Sequence, residues 1–211
     1  MKTDDLITAL AQDAPIRWPL GRAVAAAMAG GAVVAGVIFF AGIGVRPDVM
    51  QAVETVRYLF KFIVTLALAV TATGLILHLA RPGVPLGAWR WALLAAPVLL
   101  IVSVALEMMA MPMSTWGTRW IGTNAPWCLS LIPLMALGPL ALMLLALRQG
   151  APRRPGLAGA VAGLVASGIA ATFYAAHCPD DSPFFVATWY TLATGIVVLI
   201  GTLAGRRWLR W

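Results

Sequence analysis

The sequence predicts an all-α fold: a polytopic membrane protein, a bundle of six transmembrane helices with a short cytoplasmic N-terminal amphipathic helix. Three observations predict it. Of 211 residues, 61% are hydrophobic and 11% are charged, with a mean hydropathy of +0.89. A soluble domain carries about 25% charged residues. The apolar residues gather into six runs of about 20, the length that crosses a bilayer as helix. The segments between runs are short and hold most of the arginines and many of the prolines. The net charge of +7 therefore reads as topology signals at helix ends. No direct nucleic-acid binding is expected from it.

Taken in order, residues 1–22 form a cytoplasmic tail and residues 23–211 the transmembrane domain. In the tail, Thr3 or Asp4 can cap a helix running to about Asp13. Leu6, Ile7, Leu10 and Ala14 then share an apolar face, while Asp4, Asp5 and Asp13 make the other side acidic. A helix resting on an anionic inner leaflet is basic on its polar side. An acidic one points instead to a protein partner gripping the apolar face; a tail lying idle at the interface is the alternative. No cleavable signal peptide is expected, so the first span serves as the insertion signal.

The six predicted spans are 23–45, 58–80, 91–111, 126–147, 156–177 and 184–204. Arg81, Pro82 and Gly83 close the second, and Pro152 and Pro155 separate the fourth from the fifth. Pro126 suits a first helical turn. Pro97, Pro133 and Pro139 lie inside spans and predict kinks. Gly159 and Gly163 form a GxxxG pair, with similar small pairs at Ala26/Gly30 and Ala32/Gly36. Such residues let helices approach closely, here for packing within the chain in preference to dimerisation. Orientation follows from the basic residues. Lys2, Arg17, Arg22, Arg81, Arg90, Arg148, Arg153, Arg154, Arg206, Arg207 and Arg210 fall on the side of the termini, and Arg46, Arg57, Lys61 and Arg119 on the other. The positive-inside rule then places both termini in the cytoplasm.

Ionisable residues within spans are functional candidates by default, and few are present. Lys61 and Glu107 lie near the outer membrane face and could pair with each other, and His78 lies near the inner one. All three also suit interfacial anchoring. Cys128, in the first turn of the fourth span, and Cys178, just after the fifth, reach the same outer level. His177, Asp180 and Asp181 flank the second cysteine. Two thiolates and an imidazole make a plausible transient site for a soft heavy-metal ion, and His177 could activate Cys178. A structural disulfide, inert buried thiols and a redox or metal sensor all remain open. A membrane thiol–disulfide or quinone-linked redox protein would need a CxxC pair, and a small metal transporter would need polar groups at the midplane. Both lack support, and no enzymatic activity is expected.

The stretch Met1 to Ile7 with Leu10 and Ala11 resembles the N-terminal tail of NrsF-type membrane anti-sigma factors, a family of six-span bacterial proteins. Trp127-Cys128-Leu129 with Ile132 and Pro133, and His177-Cys178-Pro179-Asp180-Asp181-Ser182-Pro183 leading to Trp189 and Tyr190, are similar to that family's two cysteine regions. The resemblance covers tail, spans and both cysteines. It implies an extracytoplasmic-function sigma factor as the partner. It also implies Asp4, Asp5, Leu6, Ile7 and Leu10 as the contacting element, and Cys128 and Cys178 as residues responding to heavy metal or oxidant.

Overall fold

A computed structural model describes residues 3–11, 18–81 and 83–210. Helix α1 spans Thr3–Ala11. Six helical segments long and apolar enough to cross a membrane follow. They are α2 (Leu20–Gly42), α4 (Val56–Leu79), the pair α5 (Trp89–Ala92) and α6 (Ala95–Ala110), α8 (Ala125–Leu147), α9 (Pro155–Ala175), and a composite of α10 (Pro183–Phe185), a π-helical stretch over Val186–Tyr190 and α11 (Thr191–Trp208). Short helices α3 (Val49–Ala52) and α7 (Trp116–Ile121) lie in the connections. The spans agree with those read from hydropathy to within four residues at each end.

Two departures have local causes. The third span is broken at Leu93 and Leu94. Pro97 has no N–H to donate to the Leu93 carbonyl, so the break falls one turn before the proline. The sixth span opens with a π turn, whose extra residue per turn re-aims Tyr190 into the core, where it is buried. Pro133 and Pro139 are accommodated inside a continuous α8.

The fifth span is the central post. In α9, 67% of the membrane window is buried, against 11% in the third span. Helix α9 packs on α11, α4, α8 and α2, whereas α6 packs mainly on α4 and the start of the sixth span. Small residues make this possible. A Cβ on Gly159 would run into the Gly201 carbonyl, and one on Gly201 into the Gly159 carbonyl, so the α9–α11 crossing is sealed backbone to backbone. The GxxxG pair thus acts within the chain. Gly30 and Gly36 likewise face Leu142 and Phe173 of the same chain.

An even number of crossings brings both termini to one end of the bundle. Cys128, Cys178 and the connections carrying α3 and α7 lie at the other.

Candidate functional site

The site is organised by residues 176–183, the connection between α9 and α10. Ala176 is the C-cap residue of α9, and the Cys178 N–H donates to the Tyr174 carbonyl (3.0 Å), so the chain leaves the helix with its last turn satisfied. The Cys178 carbonyl and the carboxylates of Asp180 and Asp181 are tied to other elements. The Cys178 carbonyl accepts from Lys61 Nζ (2.7 Å) of α4 and from Arg46 Nη1 (3.4 Å) in the connection after α2. Asp181 pairs with the same two cations, Lys61 at 2.5 Å and Arg46 at 2.8 Å. Arg46 also grips Asp48 through Nε (2.7 Å) and Nη2 (2.6 Å), and its own N–H donates to the Ala176 carbonyl (3.1 Å). Lys61 has no exposed surface and its ammonium lies over the Tyr58 ring. These charges are compensated where they sit, as buried charge requires. Hydrogen bonding to Asp48 raises the Arg46 pKa far above the ordinary value, and the same contact holds the Asp48 carboxyl below the usual carboxylate range.

Asp180 has a different task. Its carboxylate accepts from the backbone N–H groups of Thr123 (2.9 Å) and Asn124 (2.8 Å), immediately before α8. The Asn124 side chain makes no cap bond to the helix, so Asp180 supplies the acceptor for the N-terminal end of α8 from across the bundle. Gly122 permits the approach: its φ is +61°, and a Cβ there would collide with Phe185 and Asp180. One turn into α8 lies Cys128.

The two cysteines are both fully buried and both free thiols. They are neighbours. Interaction with the Cys128 S–H is the main influence holding the Cys178 thiol below its ordinary pKa; the Lys61 charge adds to it, and burial opposes both. Tyr174 and Tyr190 adjoin the same pair. Their hydroxyls are buried against the two thiols, which are the polar groups next to them.

A second charged group lies alongside. Glu107, buried at the end of α6, takes Arg57 of α4 at 2.9 Å and Arg119 of α7 at 2.9 Å. Between these arginines and residues 179–182 opens a cleft of about 830 Å³, lined also by Thr55, Thr115 and Thr118. It leads from the surface to the connection that carries Cys178.

Several expectations change. Lys61 and Glu107 do not pair: Lys61 takes Asp181, while Glu107 takes Arg57 of the same α4 and Arg119 of α7. His177 Nδ1 contacts the Gly44 carbonyl (3.0 Å), and its ring lies beside Tyr174. Asp180 and Asp181 are committed to the α8 backbone and to Lys61 and Arg46. No group of three or more His, Cys, Asp or Glu suited to a metal ion occurs among the described residues. The five-residue set Cys128, Cys178, His177, Asp180 and Asp181 is therefore not one ligand cluster; only the two sulfurs converge. His78 contacts the Gly74 carbonyl (2.9 Å) and packs beside Trp89, an anchoring role. In α1, Asp4, Asp5 and Ile7 are exposed. The side chains of Leu6 and Leu10, and Asp13 altogether, lie outside the described residues. Sequence reasoning missed Arg46, Tyr174 and Tyr190. Their spacing from the cysteines in the chain gives no signal for the first, and only Tyr174, one helical turn before Cys178, was within reach of a periodicity argument.

Comparison with known proteins supplies the family. Residues 10–211 match the family model described as NrsF, negative regulator of sigma F. The anti-sigma-F factor NrsF of Caulobacter vibrioides is 36% identical over the full length of both chains. The probable anti-sigma-F factor NrsF of Azospira oryzae is 34% identical, again over all of both. No solved structure matches. The chain belongs to the NrsF family of negative regulators of sigma F.

Proposed function

We propose that this protein is an inner-membrane anti-sigma factor. In this reading it holds an extracytoplasmic-function sigma factor through its cytoplasmic N-terminal segment and releases it when the Cys128–Cys178 pair is modified on the periplasmic side. Family membership supports the anti-sigma role, as do the names borne by the two relatives. The observation that carries the sensing role is the meeting of the two thiols, in a place where Cys178 also holds the charge network together.

The chemistry needs only the pair. A two-electron oxidant such as hydrogen peroxide takes two electrons and two protons from the thiols, leaving a disulfide and two waters. A soft metal ion instead displaces the two protons and binds both thiolates. The depressed pKa of Cys178 makes it the first to ionise, with Cys128 as resolving partner. The hydroxyls of Tyr174 and Tyr190, beside the two thiols, are placed to donate to the thiolate as it forms. The 830 Å³ cleft, lined by Pro179, Asp180, Asp181 and Ser182, would bring the reagent to the connection that carries Cys178.

Disulfide formation draws the sulfurs from contact to about 2.0 Å, so residues 176–183 or the start of α8 must shift. Either shift strains the Cys178 carbonyl against Lys61 and Arg46, or Asp180 against α8. Arg46 lies just beyond the end of α2, and the other end of α2 continues directly into the tail. One 23-residue helix, about 35 Å long, thus links input to output. The stimulus must favour one bundle state, and a coupling of about 1–3 kcal/mol changes sigma affinity roughly 5–150-fold.

The test is release of the co-purified sigma factor from membranes treated with peroxide or a soft metal. Cys128→Ser with Cys178→Ser should keep sigma bound under treatment; release at the normal rate would remove the thiols from the mechanism. Deleting residues 1–14 should abolish co-purification, and unchanged binding would move the contact elsewhere.

A further inference from the structure

The end of the bundle that holds the termini carries a second cleft, of about 570 Å³, between the last turns of α8 and α11. Its rim is basic and its wall apolar. Arg148 caps α8, Arg207 lies in the last turn of α11, and Arg210 follows it. Below them the wall is Ala141, Leu144 and Leu145, with the Trp208 ring beside it. At the opposite end every basic residue has an acidic partner. Among the described residues, none of the five ion pairs involves Arg148, Arg207 or Arg210. Three guanidiniums converging without a counter-ion form an anion site. An apolar wall running from it towards the middle of the membrane suits hydrocarbon, and an exposed tryptophan at the junction suits the headgroup level.

We infer that this cleft binds an anionic phospholipid, with its phosphate among Arg148, Arg207 and Arg210 and an acyl chain along Ala141 and Leu145. The volume lies in the range of sites built for one small ligand. Basic pockets between transmembrane helices are a recognised setting for such headgroups. A bound lipid would bridge the C-terminal ends of α8 and α11, the helix that begins beside Cys128 and the helix sealed against α9. The lipid would thereby bias the same bundle that carries the proposed signal.

The full-length chain, purified in neutral detergent, tests this by its thermal midpoint with added lipid. Phosphatidylglycerol should raise Tm by about 3 °C or more over phosphatidylcholine, the gain expected of a ligand bound only by the folded state. Inorganic phosphate alone should give no rise. The variant R148Q/R207Q should lose most of the gain, while R153Q/R154Q, which removes as much charge from the same end but outside the cleft, should keep it. Four results overturn the assignment: an equal rise with phosphatidylcholine, a rise with phosphate alone, equal losses in the two variants, or a gain seen only after removal of residues 1–17. The last would mean that the acidic tail fills the cleft.

Discussion

The two ends of the bundle use charge in opposite ways. At the cysteine end, Arg46, Lys61 and Glu107 are buried and all are paired within the chain. At the end holding the termini, Arg148, Arg207 and Arg210 are exposed and none has an acidic partner among the described residues. Charges consumed internally fix geometry, because a buried ion cannot leave its partner without a large desolvation penalty. Charges left at the surface are free for lipid or protein. The proposed function calls for this asymmetry, with two thiols held in register at one end and other molecules engaged at the other.

Breaking the buried network gives the largest expected effect. Asp181→Ala leaves Lys61 buried with no carboxylate, and should destabilise the bundle by about 3–5 kcal/mol in denaturant unfolding. Lys61→Met should cost less, since Asp181 keeps Arg46; equal losses would mean that the pair does not act as described. Asp180→Ala removes the acceptor at the start of α8. It should cost about 1–2 kcal/mol and expose the amides of Thr123 and Asn124 to hydrogen exchange. Arg148→Gln or Arg207→Gln, by contrast, should change intrinsic stability in lipid-free detergent by no more than about 0.5 kcal/mol. A larger loss there would erase the distinction between the ends.

A pH measurement sharpens the comparison further. The Cys178 pKa is lowered chiefly by the Cys128 thiol, and the thiolate is the reacting species. Its reaction with a small neutral alkylating reagent should therefore rise with pH at lower values than for an ordinary thiol. Cys128→Ala removes the main stabilising influence, so the profile should move to higher pH and the rate at neutral pH should fall. A profile unmoved by the substitution would assign the shift to Lys61 instead.

Much of this was legible in the chain. The lengths of the apolar runs, the prolines between them and the even number of crossings placed both cysteines at one end, and the small residues of α9 announced a close helix crossing. The site itself was only half legible. Cys128 and Cys178 were visible as candidates, but the partners of Lys61, Glu107 and Asp181 were not, nor were Tyr174 and Tyr190. Asp180 read as a metal or thiol-tuning residue; its carboxylate accepts from the amides just before α8, and it also acts on the Cys178 thiol. His177 read as an activator, and its Nδ1 contacts the Gly44 carbonyl.

The sequence by itself determined the level of each residue along the bundle axis, because 20-residue apolar runs of fixed rise leave little choice. Only the tertiary structure decided the rotation of each helix and which helices are neighbours. When lipid and protein interior are equally apolar, no amphipathic stripe marks the buried face. What sets the rotation is close packing, such as Gly159 on Gly201, together with the need of Lys61 and Arg46 for Asp181, and neither can be read from one helix alone.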